Sequence, residues 1–83
     1  MIHKTTIDHY EDMEELAEKI GDLQYDALAE FLAALNKKIA SDGAKDATRG
    51  RVQLASELNQ LAKYLAEGAE ASQRAWVICE PFM

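Results

Sequence analysis

Apolar residues recur every three or four positions along most of the chain, which is the spacing that places them on one face of an α-helix. The pattern falls into three amphipathic segments, and we predict helices over residues 9–20, 22–41 and 48–78. The only proline is at position 81 and the four glycines lie between or within these segments, so little interrupts helix formation. The pattern predicts an all-α fold, a helical hairpin or three-helix up-down arrangement, in a single domain over residues 1–83.

The first helix has recognisable signals at both ends. Asp8 can cap the free amides of the first turn, and Glu11 three residues later completes a capping box. Gly21 suits the position that follows a helix, although it could instead kink one continuous helix over residues 9–41. Residues 1–7 precede the helix as an N-terminal arm.

The segment after the second helix is polar. Ser41, Asp42 and Gly43 resemble a helix stop, and residues 42–50 are predicted to form a connector that brings several lysines and arginines together. The simplest interpretation of this basic end is a solvated loop, and the alternative is a salt-sensitive docking end.

The third helix carries the strongest pattern of the chain. Leucines alternate steps of four and three residues, which makes a short heptad seam for a partner helix. Alanines seven residues apart flank this seam and would allow a neighbouring backbone to approach closely. The seam residues are Leu54, Leu58, Leu61 and Leu65, and the flanking alanines are Ala55, Ala62 and Ala69.

Folding the chain back at the connector would place Ile39 beside Leu54, and Leu32 beside Leu58 or Leu61. The first helix would then lie along the second half of the third helix, over its small residues at Gly68 and Ser72.

A flat layer of this kind buries little apolar surface on its outer faces. We therefore expect two copies to associate into a four-helix-type bundle, which would be a symmetric homodimer.

The last eight residues are mostly apolar, and Pro81 ends any helix there. We expect residues 79–83 to form an apolar tail that folds onto the core or across a dimer interface. One alternative is a docking segment for another protein. Another is a short strand over residues 76–79 that pairs with residues 2–7.

Composition and charge narrow the class of protein. The net charge is −6 at pH 7, which argues against a dedicated nucleic-acid binder, and the apolar runs are far too short to span a membrane. The single cysteine and the absence of a signal-peptide pattern in this sequence favour a cytoplasmic protein. Residues 1–30 hold nine acids and two bases, whereas residues 31–83 hold six acids and seven bases, so the negative charge is concentrated at the N-terminal end.

The glutamate-rich first helix resembles that of the all-α nucleotide pyrophosphohydrolases, which hold Mg²⁺ with an E-x-x-E pair and a later E-x-x-D pair. Glu11 with Glu14, and Glu15 with Glu18, have the first spacing, but no E-x-x-D occurs in the chain. A Mg²⁺-dependent hydrolase with a degenerate carboxylate box is therefore the enzyme alternative, and a solvated acidic face is the simpler interpretation.

Other chemistry-bearing residues are few. His3 and His9 lie near the N-terminus without metal-ligand spacing, and Cys79 lies among apolar residues that favour a buried structural thiol. We predict no catalytic residue, no metal site and no cofactor.

These observations predict a small acidic interaction module, an adaptor, regulator or inhibitor that binds another protein. Alternatives are a nucleic-acid-mimicking inhibitor from a mobile element and a structural subunit of a larger assembly. The candidate contact residues are an acidic stripe and two aromatic residues of the C-terminal segment: Glu11, Glu15, Glu18, Asp22, Trp76 and Phe82.

Overall fold

A computed structural model describes residues 3–83, which form three α-helices and a short terminal turn. Helix α1 spans Met13–Gly21, α2 spans Tyr25–Thr48, and α3 spans Val52–Cys79, followed by a 3₁₀ turn over Glu80–Phe82. The all-α prediction is confirmed, and α2 and α3 pack along each other as a helical hairpin. The predicted arm over residues 1–7 includes Met1 and Ile2, which lie outside the described residues.

Helix α1 begins four residues later than predicted. Asp12 is the N-cap and its side chain accepts a hydrogen bond from the Glu15 amide at 2.9 Å, while Glu15 Oε2 accepts one from the Glu11 amide at 2.9 Å. The chain contains D-x-x-E twice in succession, from Asp8 and from Asp12, and only the second is used. The backbone at His9 has a φ of 77°, which is left-handed and incompatible with a helix starting at Asp8.

Replacing Asp12 by alanine should therefore loosen α1 alone. Loss of an N-cap costs about 1 kcal/mol, and α1 makes only marginal contact with the rest of the fold, so the hairpin should keep its stability. We expect faster hydrogen exchange of the α1 amides in Asp12→Ala, with no change in the exchange of α2 and α3. Asp8→Ala is the matched control, and an equal effect there would contradict the assigned cap.

The break after α1 is confirmed, and the alternative of one continuous helix over residues 9–41 is wrong. Gly21 is the last residue of α1 and keeps a right-handed helical backbone, so it does not occupy the predicted position after the helix. The chain turns over residues 22–24, where the Leu23 amide donates to the Ile20 carbonyl at 3.1 Å.

The predicted connector over residues 42–50 is wrong for most of its length, because α2 continues through Gly43 to Thr48. The true turn is short. The Gly50 amide donates to the Ala47 carbonyl at 3.1 Å and the Arg51 amide to the Asp46 carbonyl at 2.9 Å, while Gly50 has a φ of 78°. This pair of hydrogen bonds is a Schellman motif, in which glycine supplies the left-handed backbone that ends the helix.

Gly43 does not end α2, contrary to the prediction. It lies instead where the two long helices approach each other closely. Gly43 is buried, and a Cβ added to it would lie 2.9 Å from Asn59 Oδ1 and 3.3 Å from Leu58 Cβ. A side chain larger than a methyl group would have to push α3 away. The glycine therefore makes close packing possible, and the helix continues through it despite the modest helix propensity of glycine.

These contacts set the register of the hairpin. Gly43 lies against Leu58 and Asn59, and a Cβ on Gly68 would lie 3.6 Å from Leu32 Cδ1, so residues whose numbers add to about 100 lie side by side. The predicted pairing of Leu32 with Leu58 or Leu61 is wrong by two to three turns, since it assumed an earlier turn in the chain. The prediction that α1 lies over Gly68 is also wrong, because α2 occupies that position.

The resulting molecule is a thin layer, with principal extents of 50 × 29 × 13 Å. Its Cα radius of gyration is 15.2 Å, whereas a globular domain of this length has a radius of about 12 Å. Within residues 3–83, the buried apolar residues are three alanines, and no large side chain is fully buried. The hairpin therefore has a narrow seam and no thick core of its own.

Candidate interaction surfaces

The contact between α2 and α3 follows small residues that recur every seven positions on both helices. This spacing lets the two backbones approach closely, as the alanine flank of the third helix predicted. Ala55 and Ala62 are 4% and 6% exposed, and Ala29 is 4% exposed. The two rows are Ala55, Ala62 and Ala69 on α3, and Ala29, Asn36 and Gly43 on α2.

The predicted leucine seam is divided by this packing. Leu58 and Leu65 are half-buried beside the alanine row. Leu54 and Leu61 remain 46% and 43% exposed, since each precedes a buried alanine by one residue and so lies about 100° around the helix from it. The four leucines thus line a face of α3 that α2 covers only along one edge.

The acidic stripe does not form one continuous helical row. Glu18 lies on α1, Asp22 follows its last residue, and Glu11 precedes the helix, and all three are exposed. Glu15 is half-buried and its carboxylate accepts the Glu11 amide, so this residue stabilises the start of α1. The structural role of Glu15 could have been found from the second D-x-x-E spacing.

The four stripe acids lack a lysine or arginine within ion-pair distance among residues 3–83. At the C-terminal end of α2 and the turn that follows it, two of the five lysines and arginines between residues 37 and 51 form ion pairs. Lys38 Nζ lies 2.8 Å from Asp42 Oδ2, and Arg51 Nη1 lies 3.1 Å from Asp46 Oδ1. The hydrogen bond from Lys38 lowers the pKa of the Asp42 carboxyl below its ordinary value. Two cations of the predicted basic docking end are therefore neutralised within the chain, whereas the segment as a whole keeps an excess of positive charge.

The C-terminal end of α3 projects beyond the hairpin. By the register above, Tyr25 at the start of α2 lies beside residue 75, so the last turn of α3 and the 3₁₀ turn extend past it. Trp76 is half-buried at this boundary, whereas Phe82 is 87% exposed. We call residues 76–83 the overhang, and its exposed apolar side chains are Val77, Ile78, Phe82 and Met83.

The overhang corrects two sequence predictions. The strand alternative for residues 76–79 is wrong because these residues are the last turn of α3. The apolar tail over residues 79–83 does not fold back onto its own hairpin, since Phe82 and Met83 are almost fully exposed. The alternatives of a dimer contact and a docking segment stay open.

The structure also reveals a groove that sequence reasoning missed, which we call the polar groove; acidic and polar side chains line it together with three alanines. Asp26 and Glu30 of α2 face Glu70 and Gln73 of α3 along one side of the hairpin. No spacing rule within either helix connects these residues, because only the register of the hairpin brings them together.

The remaining candidates for chemistry stay apart. Within residues 3–83, no three side chains among histidine, cysteine, aspartate and glutamate are grouped so that they could hold a metal ion, and this includes the two E-x-x-E pairs. Cys79 is a free thiol and is half-buried at the end of α3.

No protein-family model matches the chain, and comparisons with curated proteins and with solved structures found no significant match. None of the helices formed by residues 3–83 combines the length and the apolar character needed to cross a membrane.

Proposed function

We propose that the protein is a small acidic interaction module of the cytoplasm, an adaptor, regulator or inhibitor without catalytic activity of its own. It acts by binding another protein and is itself a homodimer. The overhang and the exposed acids of the stripe contact the partner, and the leucines of α3 serve the association of two copies.

The observation that supports this proposal most is the amount of apolar surface that the fold leaves uncovered. Among the described residues, thirteen large apolar side chains are exposed, and four of them, Val77, Ile78, Phe82 and Met83, lie in the overhang. Scattered exposed apolar residues are normal in soluble proteins, whereas a contiguous apolar end is typical of an interaction site.

The charge distribution indicates the kind of partner. Glu11, Glu18 and Asp22 are exposed, and they lie in the segment that carries most of the negative charge. A basic protein surface would be attracted to them over a distance, which raises the association rate more than it lowers the dissociation rate. Since these charges are solvent-exposed, salt should weaken the attraction.

The test is a capture experiment with two charge-matched baits. The first bait carries Glu11→Lys, Glu18→Lys and Asp22→Lys, and it leaves Glu15 in place because Glu15 supports α1. The second carries Glu30→Lys, Glu67→Lys and Glu70→Lys, which changes the net charge equally at exposed positions of the hairpin. Proteins from the native source that bind the natural chain and the second bait, but not the first, are the expected partners.

The association rate of a partner found in this way should fall about tenfold or more between low and high salt. Deletion of residues 80–83 should shorten the lifetime of the complex, because it removes the exposed end of the overhang. If both baits and the truncated chain captured the same proteins as the natural chain, neither surface would contact a partner and the proposal would be wrong.

A further inference from the structure

The hairpin has two chemically different faces. On α3, the leucines at 54 and 61 each precede a buried alanine by one residue, and on α2 Leu28 and Leu35 precede Ala29 and Asn36 in the same way. Two antiparallel helices are related by a local two-fold axis perpendicular to the plane that contains both helix axes. Rotation about this axis exchanges the helices but keeps each face of the layer on its own side. Residues displaced in the same rotational direction from the contact therefore lie on the same face. Large apolar residues of both helices therefore line one face of the layer.

The opposite face carries acidic and polar side chains together with alanines. The residues that follow the alanines of the two rows by one or four positions, Glu30, Glu70 and Gln73 among them, line the polar groove. The leucine face is thus one side of an amphipathic layer that is 13 Å thick, and we define it by Leu54, Leu58, Leu61 and Leu65 of α3.

The accessible surface area of the chain indicates how much of its surface a binding partner would bury. Its accessible surface is 6676 Å², whereas a folded monomer of 9.3 kDa exposes about 5,000 Å². The excess of about 1,700 Å² lies within the range that each subunit of an obligate homodimer buries, which is about 1,000–2,500 Å². A single docked peptide would cover less than a second hairpin.

The spacing of the leucines is complementary to itself. The steps from Leu54 to Leu65 are four, three and four residues, and this order is the same in either direction along α3. Two copies of α3 that run antiparallel would therefore place Leu54 opposite the partner's Leu65, and Leu58 opposite the partner's Leu61. An isologous two-fold contact requires this kind of self-complementary surface.

We propose that a second copy of the chain covers the leucine face, with α3 packed antiparallel on α3 about a two-fold axis between Leu58 and Leu61. This inference rests on the homodimer of the proposed function. It assigns the contact surface of that dimer and the relative direction of the two α3 helices. Two hairpins joined in this way form a four-helix bundle in which the overhangs of the two copies point in opposite directions and stay free.

Sedimentation equilibrium of matched variants tests the surface. Leu61→Glu places a carboxylate at the centre of the proposed contact in both copies, and it should weaken association about 1,000-fold or more. Val52→Glu is the control, since Val52 is 71% exposed and lies on the other side of α3. Leu61→Ala should weaken association about tenfold or more with helicity retained, so the test holds even where Leu61→Glu unfolds.

Spin labels test the direction. In a Cys79→Ser background, labels on Gln53 of two antiparallel copies should be about 20 Å apart along the helix axis, and labels on Arg74 about 44 Å apart, at 1.5 Å per residue. A parallel contact would give equal separations at the two positions and would overturn the antiparallel assignment.

The outcomes separate the two proposals. A natural chain that stays monomeric at tens of micromolar would contradict the homodimer itself. A natural chain that is dimeric, and stays dimeric as Leu61→Glu, would keep the homodimer and overturn the leucine face as its contact surface.

Discussion

Replacing Gly43 by leucine is expected to lower the free energy of unfolding by about 3 kcal/mol. Even a single added carbon at Gly43 would lie 2.9 Å from Asn59 Oδ1 and 3.3 Å from Leu58 Cβ. The amide oxygen of Asn59 can rotate away, but Leu58 Cβ is fixed by the backbone of α3. A whole leucine side chain therefore forces the two helices apart, and overpacking of this kind costs about 1–3 kcal/mol or more.

The matched control is Ala44→Leu, one residue further along the same helix at an exposed position. Its stability should change by no more than about 0.5 kcal/mol. Urea unfolding followed by circular dichroism compares the two variants. If Gly43→Leu unfolded at the same urea concentration as Ala44→Leu, the close approach of α2 and α3 at Gly43 would be refuted.

Replacing Ala62 by glutamate is expected to cost about 4 kcal/mol, which is comparable to the whole stability of a domain of this size. Ala62 is 6% exposed at the middle of the contact between α2 and α3. A carboxylate there would lose its hydration without an ion-pair partner, and its side chain would also exceed the available space.

Ala71→Glu serves as the control, because Ala71 is an exposed alanine of the same helix. The Ala71 variant should keep its helicity and its unfolding midpoint, whereas the Ala62 variant should be largely unfolded at neutral pH. Partial recovery of Ala62→Glu at low pH is expected, since protonation removes the buried charge. Equal stability of the two variants would mean that the alanine row does not form the contact.

The helical class of the fold was predictable from the sequence because apolar spacing is a local property. The position of the turn was not, because glycine has two opposite meanings in a helical sequence. Gly50 ends α2 with a left-handed backbone, while Gly43 permits close packing within it. The packing role of Gly43 could have been recognised only by comparing its position with the alanine repeat on the opposite helix.

The division of the third helix into two apolar rows was partly predictable. Both rows, the leucines and the alanines, are visible in the sequence at heptad spacing. The distance between the axes of α2 and α3 decides which row makes the contact, and a short distance favours the alanines. The same packing explains why Leu54 and Leu61 remain exposed. The feature that makes the hairpin narrow therefore also leaves the leucine face exposed.

The candidate contact residues were also only partly predictable from the sequence. Net charge and apolar runs located the acidic segment and the C-terminal segment, since both are linear features. The assignment of Glu15 to the start of α1 depended on which of two identical spacings forms the cap. The polar groove formed by Asp26, Glu30 and Glu70 depends on the register of two helices and has no linear signature.

We propose that this chain does not complete its apolar core alone and that a second copy covers its leucine face. Urea unfolding of the natural protein over a hundredfold range of protein concentration tests it most directly. For a dimer that dissociates on unfolding, the midpoint should rise by about 1 M urea across this range. A midpoint independent of protein concentration would contradict the claim, because it would show that the thin hairpin is stable as a single chain.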